Sequence, residues 1–240
     1  MNPGTVKDAE NLFDSLKKEI KEVKEVEAVV CPPFVYLSGL KSKADNVKIG
    51  GQNCFWEEKG AYTGEVSFLM LKDLGCSYVI VGHSERRKYF SETNETVNKK
   101  IKAVLKAGLN PIFCIGETQE ERSAGKTEVI LKQQIISGLG GIKDNEVSNS
   151  LAIAYEPVWA IGTGNPCDTA EAKKVKDFIL GLISEVYGEA VSKKIRILYG
   201  GSVNGKNARS YIKEAELQGL LVGGASLDAE EFAEIVRSTI

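Results

Sequence analysis

Four segments carry residues able to do chemistry. Val81-Gly82-His83-Ser84-Glu85-Arg86-Arg87 sets the chain's one histidine between an apolar run and a dense polar cluster. A histidine at a strand exit and helix start feels the positive end of the helix dipole, which disfavours the imidazolium. The same cluster also suits a surface histidine in a salt-bridged turn. Ala154-Tyr155-Glu156-Pro157-Val158-Trp159-Ala160-Ile161-Gly162-Thr163-Gly164 ends a second apolar run on a carboxylate. Apolar neighbours raise a carboxyl pKa, which suits a general base. Val158, Trp159 and Ile161 fit a lid that closes and excludes water, with Gly162 and Gly164 free to take positive φ. A structural glutamate under a permanently packed loop is the plainer alternative. Tyr199-Gly200-Gly201-Ser202 and Val222-Gly223-Gly224-Ala225-Ser226 follow the last two apolar runs. Paired glycines let backbone N–H groups approach an anion, and a helix start behind them adds its dipole. Two tight strand-to-helix turns would look the same.

Three lookalikes fail. Gly125-Lys126-Thr127 resembles the end of a P-loop, but Glu120 stands where its earlier glycine is required. Gly162-Thr163-Gly164 has Cys167 where a dinucleotide fingerprint needs glycine, and no G-x-S-x-G elbow exists. A base, an electrophile, a lid and an anion pocket together suit proton abstraction beside a carbonyl on a small phosphorylated substrate.

These groups need a scaffold. Nearly continuous apolar runs at residues 28–31, 47–50, 78–81, 111–115, 151–155, 195–199 and 220–222 read as parallel strands buried on both faces. Helical patterns at 94–105, 128–136, 170–186 and 229–236 alternate with them, and a first helix opens the chain through Val6, Leu12, Phe13, Leu16 and Val23. Asp168 with Glu171, and Asp228 with Glu231, read as capping boxes. The pattern is α/β with a parallel sheet. Seven strands suit either a doubly wound sheet or a barrel one strand short of eight.

The 240 residues show no linker, so they read as one domain, 1–240. Lys plus Arg total 31 and Asp plus Glu 33, a formal charge of −2, which gives no basic surface for nucleic acid. Hydrophobic residues at 42% and charged residues at 27% are globular proportions. No apolar run approaches a membrane span, and Met1-Asn2-Pro3-Gly4 has no secretory h-region. Five scattered cysteines and one histidine argue against disulfide frameworks and metal sites and for a reducing, cytoplasmic setting.

Gly82-His83-Ser84-Glu85-Arg86-Arg87, residues 154–164, Tyr199-Gly200-Gly201-Ser202 and Gly223-Gly224, in this order and spacing, resemble the triosephosphate isomerase family. Residues 60–65 and 110–117 match it as well. The resemblance covers essentially the whole chain. It implies a (β/α)8 TIM barrel and the interconversion of dihydroxyacetone phosphate and glyceraldehyde 3-phosphate through an enediolate, without a cofactor or metal. The division into glutamate base, neutral histidine and closing loop is the general pattern for this family. By position, Glu156 is the proton shuttle and His83 the neutral electrophile, with Glu85 as a supporting carboxylate. Gly162, Ser202, Gly223 and Gly224 hold the phosphate, under a lid of residues 157–164. The loop around Thr63 matches the one that enters the partner subunit of a homodimer. The family's first strand, with its Asn-x-Lys, has no counterpart before Met1-Asn2, so the expected barrel is incomplete at its N-terminus. The expected outcome is a slowed enzyme with unpaired edges at residues 28–31 and 220–222, prone to aggregate. A catalytically impaired homologue that only binds phosphate or a partner is the alternative. The lid and the Gly-His-Ser-Glu-Arg-Arg segment disfavour another phosphate-handling barrel, such as a sugar-phosphate epimerase.

Overall fold

The computed structural model describes residues 2–44, 46–162 and 166–240. Thr163 and Gly164 of the expected lid lie outside the described residues. The chain alternates helix and strand throughout. It opens with α1 (Val6–Glu19), β1 (Val29–Val30), α2 (Phe34–Lys41), β2 (Lys48–Gly51), α3 (Phe68–Asp73) and β3 (Tyr78–Val81). Then come α4 (Ser84–Phe90), α5 (Asn94–Lys106), β4 (Asn110–Ile115), α6 (Gln119–Ser123), α7 (Thr127–Leu139), α8 (Asp144–Ser150) and β5 (Ala152–Tyr155). The last third holds α9 (Thr169–Tyr187), α10 (Glu189–Ser192), β6 (Arg196–Tyr199), α11 (Ala208–Lys213), β7 (Gly219–Leu220) and α12 (Ala229–Ser238). Every strand pairs in parallel with its sequence neighbour, in the order β1-β2-β3-β4-β5-β6-β7. The fold is an α/β TIM barrel with seven strands among the described residues.

Side-chain alternation explains the continuous apolar runs. Tyr78, Ile80, Ile112, Cys114 and Ala154 form an inner cluster, with Leu198 packed against it. Val79, Val81, Phe113, Ile115, Ile153 and Ile197 instead join the larger core between sheet and helices. Each strand therefore buries both of its period-two faces.

The ends of the sheet differ from the sequence expectation. The ladders of β1 and β7 are two residues each, and β7 covers 219–220 instead of 220–222. Each pairs on one side only among the described residues. Both border the same cavity of about 1060 Å³, so the sheet curls round until its two edges face one slot. The helices do close the ring. α1 packs on α12, where Arg237 donates to the Glu19 carbonyl (3.2 Å) and pairs with its carboxylate (3.6 Å). Phe13 and Leu16 are buried, and Leu12 is half-buried at the slot.

Local signals set the helix starts. Thr5 caps α1 through the Asp8 amide, and Asp168 caps the 19-residue α9 through the Glu171 amide (2.7 Å). The expected reciprocal arms of the two capping boxes have other partners. The Glu171 carboxylate accepts from Arg122 (3.1 Å), and Glu231 accepts from the Gly205 amide (2.8 Å). α1 stops at Glu19 instead of reaching Val23, with the Ile20 amide making its last helical bond to Leu16.

Candidate active site

Glu156 follows the last residue of β5, and its amide donates to the Ile115 carbonyl at 2.7 Å. The side chain is 2% exposed. Such a carboxylate needs donors, and α4 supplies them. Oε2 accepts from the Ser84 amide at the start of α4 (2.8 Å), and Oε1 lies 2.9 Å from His83 Nε2. The helix N-terminus thus receives a carboxylate from another strand.

His83 is the N-cap of α4. Its Nδ1 accepts from the Glu85 amide (3.3 Å), which leaves Nε2 to carry the proton of the neutral ring. Burial pushes the imidazole pKa down. The hydrogen bond to Glu156 and the charges of Glu156 and Glu85 outweigh it, so the net shift is upward. The helix start, expected to disfavour the imidazolium, is thus opposed by a buried carboxylate from another strand. Glu85 itself is mostly exposed, its carboxylate 3.9 Å from Nδ1.

Two glycines make room for Glu156. A Cβ on Gly116 would lie 1.7 Å from the Glu156 carbonyl oxygen, and one on Gly200 would lie 2.8 Å from Glu156 Cγ. Gln134 on α7 holds Gly116 from both sides, accepting from its N–H (2.8 Å) and donating to its carbonyl (3.0 Å). The Gly-Gly pairs, alike in sequence, differ in kind. A Cβ on Gly201 would collide with the Tyr199 hydroxyl, whereas one on Gly223 or Gly224 would meet nothing within 4 Å. The first pair is demanded by packing, and the second faces open space. Behind it runs a single 3-10 turn, Gly224–Leu227, and α12 begins only afterwards.

His83, Glu85, Glu156, Gly162, Ser202, Gly223 and Gly224 all border the cavity of about 1060 Å³. Gly162 is exposed at φ +69°. Before it, residues 158–160 form a 3-10 turn, with Ala160 buried and Val158 and Trp159 half-buried. That turn is tied down by a residue the sequence reading passed over. Glu117 is fully buried, and its Oε1 accepts from Trp159 Nε1 (2.9 Å) and the Tyr155 hydroxyl (3.1 Å). Its carbonyl accepts from the Val158 amide (3.1 Å). Arg122 stands 3.7 Å from the same carboxylate and stacks over the Trp159 ring at 4.2 Å. The one available signal was a carboxylate two residues beyond an apolar strand. The Thr63 loop stands apart from this cavity, with exposed Tyr62 packing on Phe55 (4.6 Å between ring centres).

A sequence profile of triosephosphate isomerase matches residues 1–239. The chain belongs to the triosephosphate isomerase family. It is 50% identical over 236 residues to the triosephosphate isomerase of Dictyoglomus turgidum, covering 98% of this chain and 94% of that protein. The triosephosphate isomerase of Alkaliphilus oremlandii is also 50% identical, over 232 residues, 96% of this chain and 93% of that protein. That of Aquifex aeolicus is 47% identical over 236 residues, with 98% and 94% covered. Triosephosphate isomerases thus share the whole span that carries Glu156, His83 and both Gly-Gly turns.

Proposed function

We propose that the chain interconverts dihydroxyacetone phosphate and glyceraldehyde 3-phosphate, with Glu156 moving the proton between the two carbons and His83 stabilising the enediolate oxygens. The 2.9 Å contact between His83 Nε2 and Glu156 Oε1, at the wall of a cavity that ends in open glycines, supports this reading most directly. Glu156 must leave His83 to reach a substrate carbon. Its departure removes the largest influence raising the imidazole pKa, and burial with the helix start then favours the neutral ring. Nε2–H can then donate to a substrate oxygen, so the two groups become competent together.

Gly162, Ser202, Gly223 and Gly224 hold the phosphate through backbone N–H groups in this reading, and Glu85 supports His83. The chain works as one domain and as a homodimer through the Thr63 loop. The exposed Tyr62, Tyr89 and Phe90 support that apolar contact. Five free thiols, four of them buried, fit a reducing cytoplasm.

The test is a coupled isomerase assay on the purified chain and its Glu156→Gln variant. A kcat lower by about 10²–10⁴ in the variant, with substrate binding retained, is expected for loss of a general base. Equal activity of the two proteins would remove Glu156 from this role.

A further inference from the structure

The buried face of α7 carries Leu131, Ile135, Gly138 and Leu139, and Gln134 lies among them, 9% exposed. A side-chain amide in an apolar helix face is unfavourable unless both of its polar atoms find partners. One residue satisfies both. Oε1 accepts from the Gly116 N–H (2.8 Å), and Nε2 donates to the Gly116 carbonyl (3.0 Å).

Two residues of antiparallel strands exchange hydrogen bonds in this same way. Here a side chain takes the part of the neighbouring strand, at the residue that follows the end of β4. The exchange needs a donor and an acceptor in one planar group, which an ionised carboxylate or a thioether does not supply. Gln134 thus orients Gly116 where the ladder of β4 has stopped.

Gly116 in turn touches the base. It lies so close to the Glu156 carbonyl that a Cβ would have no room, and the preceding Ile115 carbonyl accepts from the Glu156 amide (2.7 Å). The Glu156 backbone therefore meets β4 through one hydrogen bond and one hard contact, and the hard contact is with the residue that Gln134 orients. The carboxylate beyond it makes two directed contacts, with the Ser84 amide (2.8 Å) and His83 Nε2 (2.9 Å). Neither Gln134 nor Gly116 is among the residues lining the cavity, so their influence on a bound molecule passes through Glu156.

We propose that Gln134 is a positioning residue for the isomerase reaction, bracing Gly116 so that Glu156 stands at a fixed place relative to His83 and the substrate carbons. This rests on the isomerase reading above. Without the amide, Gly116 is free to turn and the Glu156 backbone to drift. A misplacement near 1 Å costs on the order of 10² in rate, and a fraction of that distance costs about tenfold. The deficit falls on kcat, because Ser202, Gly223 and Gly224 follow other strands.

The full chain and its Gln134→Met variant, which keeps the length of the side chain and removes both hydrogen bonds, decide the matter. In the variant kcat should fall about tenfold, with KM changed less than about twofold. The NMR titration of His83, read without substrate, should move downward by about half a pH unit or more as the carboxylate loosens its contact with Nε2. Gln134→Glu, which when ionised keeps only the bond from the Gly116 N–H, should show a smaller effect of the same kind, and it serves in place of Gln134→Met if that variant does not fold. Ile135→Val, a packing change on the same helix, should leave kcat and the titration as in the parent. An unchanged kcat in an active Gln134→Met enzyme overturns the proposal. So does a deficit that falls on KM instead, and so do equal changes in Ile135→Val, which would mark Gln134 as a general core residue. If neither the parent nor Gln134→Met turns over substrate yet the titration moves in Gln134→Met alone, the bracing of Glu156 stands and the isomerase reading is what fails. If the titration does not move either, the bracing fails with it.

Discussion

His83 Nε2 and Glu156 Oε1 meet at 2.9 Å, although one belongs to the turn after β3 and the other to the turn after β5. Each occupies the other's reactive atom at the cavity wall in this arrangement. The resting contact is thus a lock between base and electrophile, and its proton affinity is open to direct measurement.

As the chain has one histidine, its titration can be followed by NMR without assignment. The pKa should lie above the ordinary histidine value of about 6.5. In Glu156→Gln it should fall, because burial and the helix start remain while the carboxylate charge is gone. The raised value also makes a stability statement. The contribution is complete below the unfolded value of about 6.5 and is lost as pH rises through the higher folded value. Denaturant midpoints should therefore drop across that window, and a flat profile there would contradict the pairing.

Gly116→Ala sets a Cβ 1.7 Å from the Glu156 carbonyl oxygen, so the strand end carrying the base must shift. A displacement near 1 Å costs on the order of 10² in rate. Gly224→Ala has free space around its Cβ and should leave thermal stability within about 0.5 kcal/mol of the parent. Its effect belongs on KM for the phosphorylated substrate. If both variants lost stability equally, the distinction between packed and open glycines would be wrong.

Removing Glu117 strands three partners at once. Glu117→Ala leaves the Tyr155 hydroxyl, the Trp159 indole and the Arg122 guanidinium without their shared carboxylate. The expected loss is about 2–4 kcal/mol by denaturant unfolding, with a changed Trp159 fluorescence signal. A loss under about 0.5 kcal/mol would show that water replaces the carboxylate without penalty.

A second buried polar group lies beneath α5. Lys100 is 4% exposed, pairs closely with Glu92 and donates to Asn53 Oδ1 at 2.7 Å. Lys100→Met takes from buried Glu92 its closest partner and leaves it Arg86 at 3.7 Å, and should cost about 3 kcal/mol, the low end for a broken buried pair. Adding Glu92→Leu should recover a good part of that loss, as a double-mutant cycle would register.

The barrel was legible because parallel strands buried on both faces leave continuous apolar runs, and 78–81 matches to the residue. The chemistry was legible where single residues announce it, as His83 and Glu156 do at strand exits. What escaped depends on pairs distant in sequence. Nothing near His83 says that Glu156 raises its pKa, and nothing near Glu171 or Glu231 says that Arg122 and Gly205 take their carboxylates from the capping boxes. Glu117 looks like an ordinary turn residue until Trp159 and Tyr155 arrive from another strand. The Lys/Glu-rich stretch after Leu16 holds no glycine or proline, so the end of α1 at Glu19 had no local mark. β1 and β7 came out shorter than their apolar runs because a ladder on one side only fixes fewer residues.

The contact of Arg237 with Glu19 joins positions 218 residues apart. Bringing ends so distant together carries a loop-closure cost of about 5 kcal/mol, and a topology built on such contacts folds slowly. Strands from β1 to β7 can zip in chain order, each finding its neighbour a few dozen residues away, while the junction of α1 and α12 has to wait for all of them. The amides of those two helices should accordingly be among the last to gain protection in a refolding pulse-labelling experiment. Until then the edges of β1 and β7 stand open to other chains, so refolding yield should fall with protein concentration more steeply than native stability would suggest.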